Sequence, residues 1–150
     1  MNYIGIDPGL TGAIAWVDSK GRLFGIDAMP TTTFANRKAV DPGALRDVLT
    51  EAGHDVMVGI EKLGPSAFNR STNWSLSGSF HIPWAVCKLG SLPFILVAPK
   101  TWKKEYGITE KAGKEAAIEV ARGMWPSFEF TRHDQADAAL IAEYARRKRS

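Results

Sequence analysis

Hydrophobic and polar positions divide the first third of the chain into short strands and one helix. Three short segments are apolar or alternating and end at Pro-Gly or Lys-Gly turn signals: residues 3–7, 12–17 and 22–28. They predict an antiparallel three-stranded meander. Residues 29–41 are largely polar and predict a loop. Asp41 before Pro42 is typical of a helix start and Gly53 of a helix end, which predicts a helix over residues 42–52.

The rest of the chain alternates between strand and helix. Two further apolar segments predict strands, at residues 56–61 and 94–98. Residues 64–70 predict a loop, and three stretches predict helices: one ending near residue 89, one at 111–124 and one at 133–147. Pro83 kinks or splits the first of these. This order predicts a single α/β domain over residues 1–150, with a five-stranded mixed sheet in which strands 3–7, 56–61 and 94–98 are parallel.

Two predicted parallel strands each end in a carboxylate. Asp7 and Glu61 are these terminal residues, and Gly5 and Gly59 precede them by two positions on the same face. The glycines leave room for a closely packed helix or a bound ion. If the strands are neighbours, Asp7 and Glu61 lie side by side at their carboxyl ends, where open α/β sheets bind ligands.

The last predicted helix carries a second pair of carboxylates. Asp134 and Asp137 are three residues apart and share a helix face. A small, apolar stripe lies beside them, consisting of Ala138, Ile141, Ala142 and Ala145. These small residues allow the helix to approach the sheet closely, which would bring both aspartates to Asp7 and Glu61.

Four converging carboxylates predict a divalent metal site, because unneutralised charges would repel one another. Hard oxygen ligands favour Mg²⁺, with Mn²⁺ able to substitute. Two such ions about 4 Å apart activate a water and stabilise the leaving oxygen of a phosphodiester. Two of these residues also have a simpler interpretation: Asp134 as a helix cap, and Asp7 as a turn residue stabilised by its own backbone. Glu61 is harder to explain in this way, because it ends an otherwise apolar strand.

Composition and charge exclude several classes of protein. The chain has 150 residues, 45% of them hydrophobic, and no apolar run long enough for a transmembrane helix. No secretory signal is visible, and a single cysteine, Cys87, excludes an internal disulfide. We therefore expect the protein to work in a reducing cytoplasm. The formal charge is +3, but removing the four cations of residues 146–149 leaves −1. That tail is either a solvated helix end or a phosphate contact.

Five lysines between residues 99 and 114 form a candidate phosphate-binding patch. They are Lys100, Lys103, Lys104, Lys111 and Lys114. Trp102 lies within this patch and is expected to pack beneath it. The alternative is an ordinary exposed lysine surface.

With these residues in view, the chain resembles the RuvC-type Holliday junction resolvases, of the small kind found in bacteriophages. Four segments spread over the chain carry the resemblance: residues 4–9 (IGIDPG) with 11–12 (TG), 58–62 (VGIEK), 97–104 (VAPKTWKK) and 133–142 (HDQADAALIA). The resemblance implies a ribonuclease H-like fold. It also implies a homodimer that binds branched DNA and nicks opposing strands of a four-way junction, leaving 5′-phosphate and 3′-hydroxyl ends.

The resemblance also assigns roles to individual residues. The four carboxylates occupy the family's metal-ligand positions, with Asp7 bridging two ions, and Lys103 and Lys114 match the family's two lysine positions. His133 precedes one ligand and either competes for metal or is a solvated histidine at the helix start. Phe68, flanked by Arg70, either stacks in the junction centre or folds back onto the core. Pro83 falls in the helix that forms much of the family's dimer interface.

Three other functions are compatible with some of these features. A less selective ribonuclease H-like nuclease acting on forks and flaps would use the same carboxylates. A non-catalytic junction-binding protein would not need all four of them. An actin-like or sugar-kinase-like ATP-binding protein would use residues 7–12 as a phosphate-binding turn, but that architecture needs two such domains.

Overall fold

A computed structural model of the chain describes residues 1–53, 55–62 and 73–149. Within these ranges the strands are β1 (Asn2–Asp7), β2 (Ala13–Asp18), β3 (Leu23–Ala28), β4 (Thr31–Phe34), β5 (Arg37–Val40), β6 (Val56–Glu61) and β7 (Phe94–Val97). The helices are α1 (Pro42–Glu51), α2 (Asn73–Leu89), α3 (Pro99–Glu105), α4 (Glu115–Met124) and α5 (His133–Arg149).

Five of the strands form one mixed sheet in the order β3-β2-β1-β6-β7. β2 pairs antiparallel with both β1 and β3, whereas β6 pairs parallel with both β1 and β7. This confirms the predicted meander and the predicted parallel strands. Helical crossovers place the carboxyl ends of all three parallel strands at one edge of the sheet, which we call the carboxyl edge.

Helices cover both faces of this sheet. Ile4, Ile6, Val58 and Ile60 are fully buried on one face, in a cluster that includes residues of α1 and α2. The opposite face packs against α3, α4 and α5, with Trp102 as its largest fully buried side chain. The strand alternation read from the sequence therefore assigns each side chain to the correct face.

Two glycines allow α5 to lie directly on the sheet. A Cβ atom on Gly5 would overlap the backbone carbonyl of Ala138 and the backbone amide of Ala142. A Cβ atom on Gly59 would lie 3.0 Å from the Cγ2 atom of Ile141. The predicted close helix packing at Gly5 and Gly59 is therefore confirmed, and it brings the first turn of α5 towards the ends of β1 and β6.

The prediction of a loop over residues 29–41 is wrong. β4 and β5 pair antiparallel as a separate two-stranded sheet. Ala35 and Asn36 form the turn with φ angles of 48° and 60°, the left-handed pair that matches the twist of a two-residue hairpin. The signal was weak because the turn has no glycine and the strands are mostly polar. We call residues 31–40 the hairpin.

The helices also differ from the predicted ones in three places. α2 continues through Pro83, so the alternative of two separate helices is wrong. α3 was not predicted, because its seven residues are too few for a clear hydrophobic period. α4 begins at Glu115 rather than at residue 111, since Gly113 adopts a φ of 71° just before it. Among the described helices, none combines the length and apolarity needed to cross a bilayer.

The basic tail forms ion pairs within the chain. Buried Glu143 accepts hydrogen bonds from Arg146 at 2.6 Å and from Arg147 at 2.8 Å. Lys148 lies 2.8 Å from Glu105. These cations anchor the last turns of α5, so the structure supports the helix-end interpretation over the phosphate contact for these three residues.

Candidate active site

Asp7 and Glu61 lie on adjacent strands at the carboxyl edge. Ile6 pairs with Ile60 in the parallel register, and Asp7 and Glu61 are the next residues on each strand. Burial raises the pKa of Asp7 well above its usual value, and the charges of Glu61, Asp137 and Asp134 raise it further. The structure thus brings all four predicted carboxylates close enough to interact electrostatically.

Asp137 is the most deeply buried residue of the α5 pair. It is 8% exposed, and its Oδ1 atom has no hydrogen-bond partner among the described residues. Burial raises its pKa to about 7, with Glu61 and Asp134 acting in the same direction and Lys103 opposing them. A buried carboxylate oxygen without a partner is costly unless a proton or a cation satisfies it. Asp137 is therefore suited to hold a proton or a metal ion.

Glu61 is held by a tryptophan that no local pattern connects with it. The Nε1 atom of Trp102 donates a 2.8 Å hydrogen bond to Oε1 of Glu61. Burial raises the pKa of Glu61, whereas the hydrogen bond from Trp102 and the charge of Lys103 lower it. This contact fixes one carboxylate oxygen of Glu61.

Asp134 is held by its two neighbours in sequence. Arg132 donates to its Oδ2 atom at 3.0 Å, and Nε2 of His133 lies 3.1 Å from its Oδ1 atom. The same Nη2 atom of Arg132 also donates to the carbonyl oxygen of Thr11. Arg132 therefore links the loop after β1 to the start of α5. Sequence reasoning missed it, because the two segments are distant along the chain.

The four carboxylates do not form a closed cage around one ion. In the part of the chain that the structure describes, no three His, Cys, Asp or Glu side chains are gathered closely enough to hold a metal together. Three oxygens of the group already have partners: one of Glu61 contacts Trp102, and the two of Asp134 contact Arg132 and His133. The carboxylates influence one another electrostatically, and such a group is compatible with ions that keep several waters of their own.

Solved structures share this fold over nearly the whole chain. The structure of Thermus thermophilus RuvC has a TM-score of 0.72 at 19% identity, covering 99% of this chain and 96% of that one. T. thermophilus RuvC in complex with Holliday junction substrate gives 0.69 at 20%, with the same coverage. The yeast mitochondrial Holliday junction resolvase Ydc2 gives 0.52 at 15%, covering 96% and 77%. This chain has the fold of RuvC. No protein-family model and no curated protein sequence matches it.

The RuvC fold is ribonuclease H-like, as the resemblance in sequence implies. Among the described lysines, Lys103 is the one whose charge acts on the carboxylates. Its Nζ atom sits over the Trp102 ring, 5.2 Å from the centroid, which confirms that Trp102 packs beneath the patch. Its charge lowers the pKa values of Asp7, Glu61 and Asp137.

The other residues that the sequence predicts to contact DNA lie on the surface or outside the described residues. Lys104, Lys111 and Lys114 are exposed, with Lys114 directly before α4. Lys100 is paired with Glu110 at 2.7 Å. Phe68 and Arg70 lie outside the described residues. The roles assigned to these six residues stay predictions.

Proposed function

We propose that this chain is a metal-dependent endonuclease that resolves four-way DNA junctions. It would nick opposing strands symmetrically and leave 5′-phosphate and 3′-hydroxyl ends. The observation that carries the proposal is the convergence of Asp7, Glu61, Asp134 and Asp137 at the carboxyl edge, with the unpartnered Asp137 Oδ1 among them. The RuvC fold supports it, because one neighbour is RuvC bound to a Holliday junction substrate.

The donor atoms fit Mg²⁺, with Mn²⁺ as a substitute. All four candidate ligands are carboxylates, the hard donors that Mg²⁺ prefers, and pairs of them suffice for an ion that retains water. Two bound ions would supply an activated water and charge stabilisation for the leaving oxygen of the phosphodiester.

The chain's own residues would orient these ligands and balance their charge. Asp7 interacts electrostatically with all three other carboxylates, which supports a role for it as the ligand that two ions would share. Trp102 fixes Glu61, and Arg132 fixes Asp134 to the loop after β1. Lys103 compensates negative charge beside them, and Lys114 would approach the scissile phosphate from the start of α4.

A homodimer is part of the proposal, because two opposing strands require two sites.

Replacing Trp102 with phenylalanine should raise the Mg²⁺ concentration needed for half-maximal cleavage by about 10- to 100-fold. The substitution keeps an aromatic ring but removes the N–H group that holds Glu61. Mn²⁺ binding to the protein alone, measured by calorimetry, should weaken by a similar factor.

Trp125→Phe is the matched control for this substitution. Trp125 is also buried, and its Nε1 atom donates to the carbonyl oxygen of Gly21 at 2.9 Å, at the opposite edge of the sheet. The Trp125→Phe substitution should lower the free energy of unfolding about as much as Trp102→Phe does, without changing the Mg²⁺ concentration needed for cleavage. Equal metal requirements for both variants would show that Trp102 acts only through packing.

The proposed function is tested with an immobile four-way junction, a matched linear duplex, a fork and a flap, each with and without about 10 mM Mg²⁺. We expect paired symmetric nicks on the junction alone, only with metal, and DNA ligase should seal them. Comparable cleavage of forks and flaps would favour the broader nuclease. Tight junction binding without cleavage under Mg²⁺ or Mn²⁺ would favour a non-catalytic protein.

A further inference from the structure

The hairpin leaves the sheet at the carboxyl edge. Asp7 at the end of β1 pairs with Ala13, and Ala13 pairs with Ala28 at the end of β3. The chain therefore enters the hairpin beside the strand end that carries Asp7. A hydrogen bond of 3.0 Å from the Met29 amide to the Gly12 carbonyl ties this crossing to the loop after β1.

The base of the hairpin is anchored, and the rest of it is exposed. Met29 is 4% and Val40 2% exposed, and both belong to the core that α1 and α2 cover. All residues from 32 to 38 are exposed, and Phe34 is 65% exposed. A two-stranded ribbon of this kind gains little stability on its own. Because residues 32–38 are exposed, this part of the hairpin is available to bind a partner.

The charge of the hairpin is uncompensated. Arg37 and Lys38 lie in its second strand, and the hairpin itself contains no Asp or Glu, the nearest in sequence being Asp27 and Asp41. Within the described parts of the chain, neither side chain forms an ion pair. The tail cations differ in this respect, because Arg146, Arg147 and Lys148 are paired with carboxylates of the chain.

A groove of about 380 Å³ separates the hairpin from α2. Phe34 and Lys38 line it from the hairpin, and Ser77 and His81 line it from α2. Its walls combine an apolar ring with hydrogen-bonding and cationic groups. Sugar carbons and phosphate oxygens of a nucleic acid strand match this combination.

We propose that the hairpin is a second DNA-binding element. It binds the backbone of a duplex arm of the branched substrate, next to the site of cleavage. Arg37 and Lys38 contact phosphates, and Phe34 packs against the strand in the groove. This inference rests on the proposed function, because it takes branched DNA as the substrate.

The test measures binding to the four-way junction in EDTA over a range of salt concentrations, so that cleavage does not interfere. R37Q/K38Q should bind more weakly. Its plot of log K against log salt should be shallower by about 0.9 for each phosphate that the variant no longer neutralises, which is about two phosphates per chain. The matched control is K20Q/R22Q, which removes the same charge from the exposed β2–β3 turn at the opposite edge. The control should retain the wild-type slope.

Three results would overturn the inference. If wild-type protein cleaves the junction and R37Q/K38Q keeps its salt slope, the hairpin does not contact DNA, and the proposed function stands. If F34A or R37Q/K38Q instead dissociates the dimer in sedimentation velocity, the hairpin binds a second copy of the chain. If the wild type neither binds nor cleaves the junction, the proposed function fails first.

Discussion

Asp7→Asn should lower the rate of junction cleavage by about a thousandfold, equivalent to about 4 kcal/mol of transition-state stabilisation. Asp7 is the carboxylate on which the charges of Glu61, Asp137 and Asp134 all act, so under the proposed function its charge would contribute to each metal site. Asparagine keeps the shape of the side chain but cannot neutralise a divalent cation. Single-turnover cleavage at saturating Mg²⁺ measures the effect.

Junction binding in EDTA should survive this substitution, because the cations proposed to contact DNA are unchanged. The metal-free variant should also unfold at a higher temperature than the wild type, since one member of a repelling group of carboxylates is gone. Asp27→Asn, at an exposed position of β3, is the matched control and should cleave normally. A cleavage rate for Asp7→Asn equal to that of the control would remove Asp7 from the mechanism.

The metal-free protein should lose stability as the pH rises from about 4 to about 7. The pKa values of Asp7, Glu61 and Asp137 are raised in the folded state, so the folded protein binds more protons than the unfolded chain. The free energy of unfolding therefore falls with rising pH over this interval. For Asp137, a rise of the pKa from 3.8 to about 7 corresponds to at most about 4 kcal/mol.

Chemical denaturation at several pH values in EDTA measures this dependence. Asp137→Asn should flatten the profile, whereas Asp27→Asn should not. Mg²⁺ should stabilise the wild type more at pH 8 than at pH 5.5, because it binds the ionised carboxylates. A wild-type stability that rises steadily from pH 5 to pH 8 in EDTA would contradict the burial of a repelling carboxylate group.

The local patterns were sufficient for the sheet and for the positions of the four carboxylates. Strand alternation has a period of two, so it assigns Asp7 and Glu61 to the face that Gly5 and Gly59 open for α5. Helical crossovers make these strands parallel, and a spacing of three puts Asp134 and Asp137 on one helix face. That β1 and β6 are neighbours was left open by the sequence and is a result of the structure. Each of these rules acts over a few residues, and for that reason the sequence alone determines its outcome.

Only the tertiary structure decided how these carboxylates are held. Trp102 lies 41 residues from Glu61, and Arg132 lies 121 residues from Thr11, so neither contact has a local signal. The two aspartates of α5 have different environments. Asp137 has a buried oxygen without a partner among the described residues, whereas Asp134 is paired with Arg132 and His133. Packing between distant segments sets these environments, and with them the pKa values.

The charged segments show the same division. Composition identified the basic tail and missed the hairpin, because counting charges does not reveal which of them find partners. Folding pairs Arg146 and Arg147 with the buried Glu143, while Arg37 and Lys38 stay exposed near the turn of the hairpin. The sequence by itself determined the sheet and its four carboxylates, since these follow from short-range periodicity. Tertiary contacts decided which side chains hold those carboxylates and which cations stay available to a ligand, since these depend on segments that meet only when the chain folds.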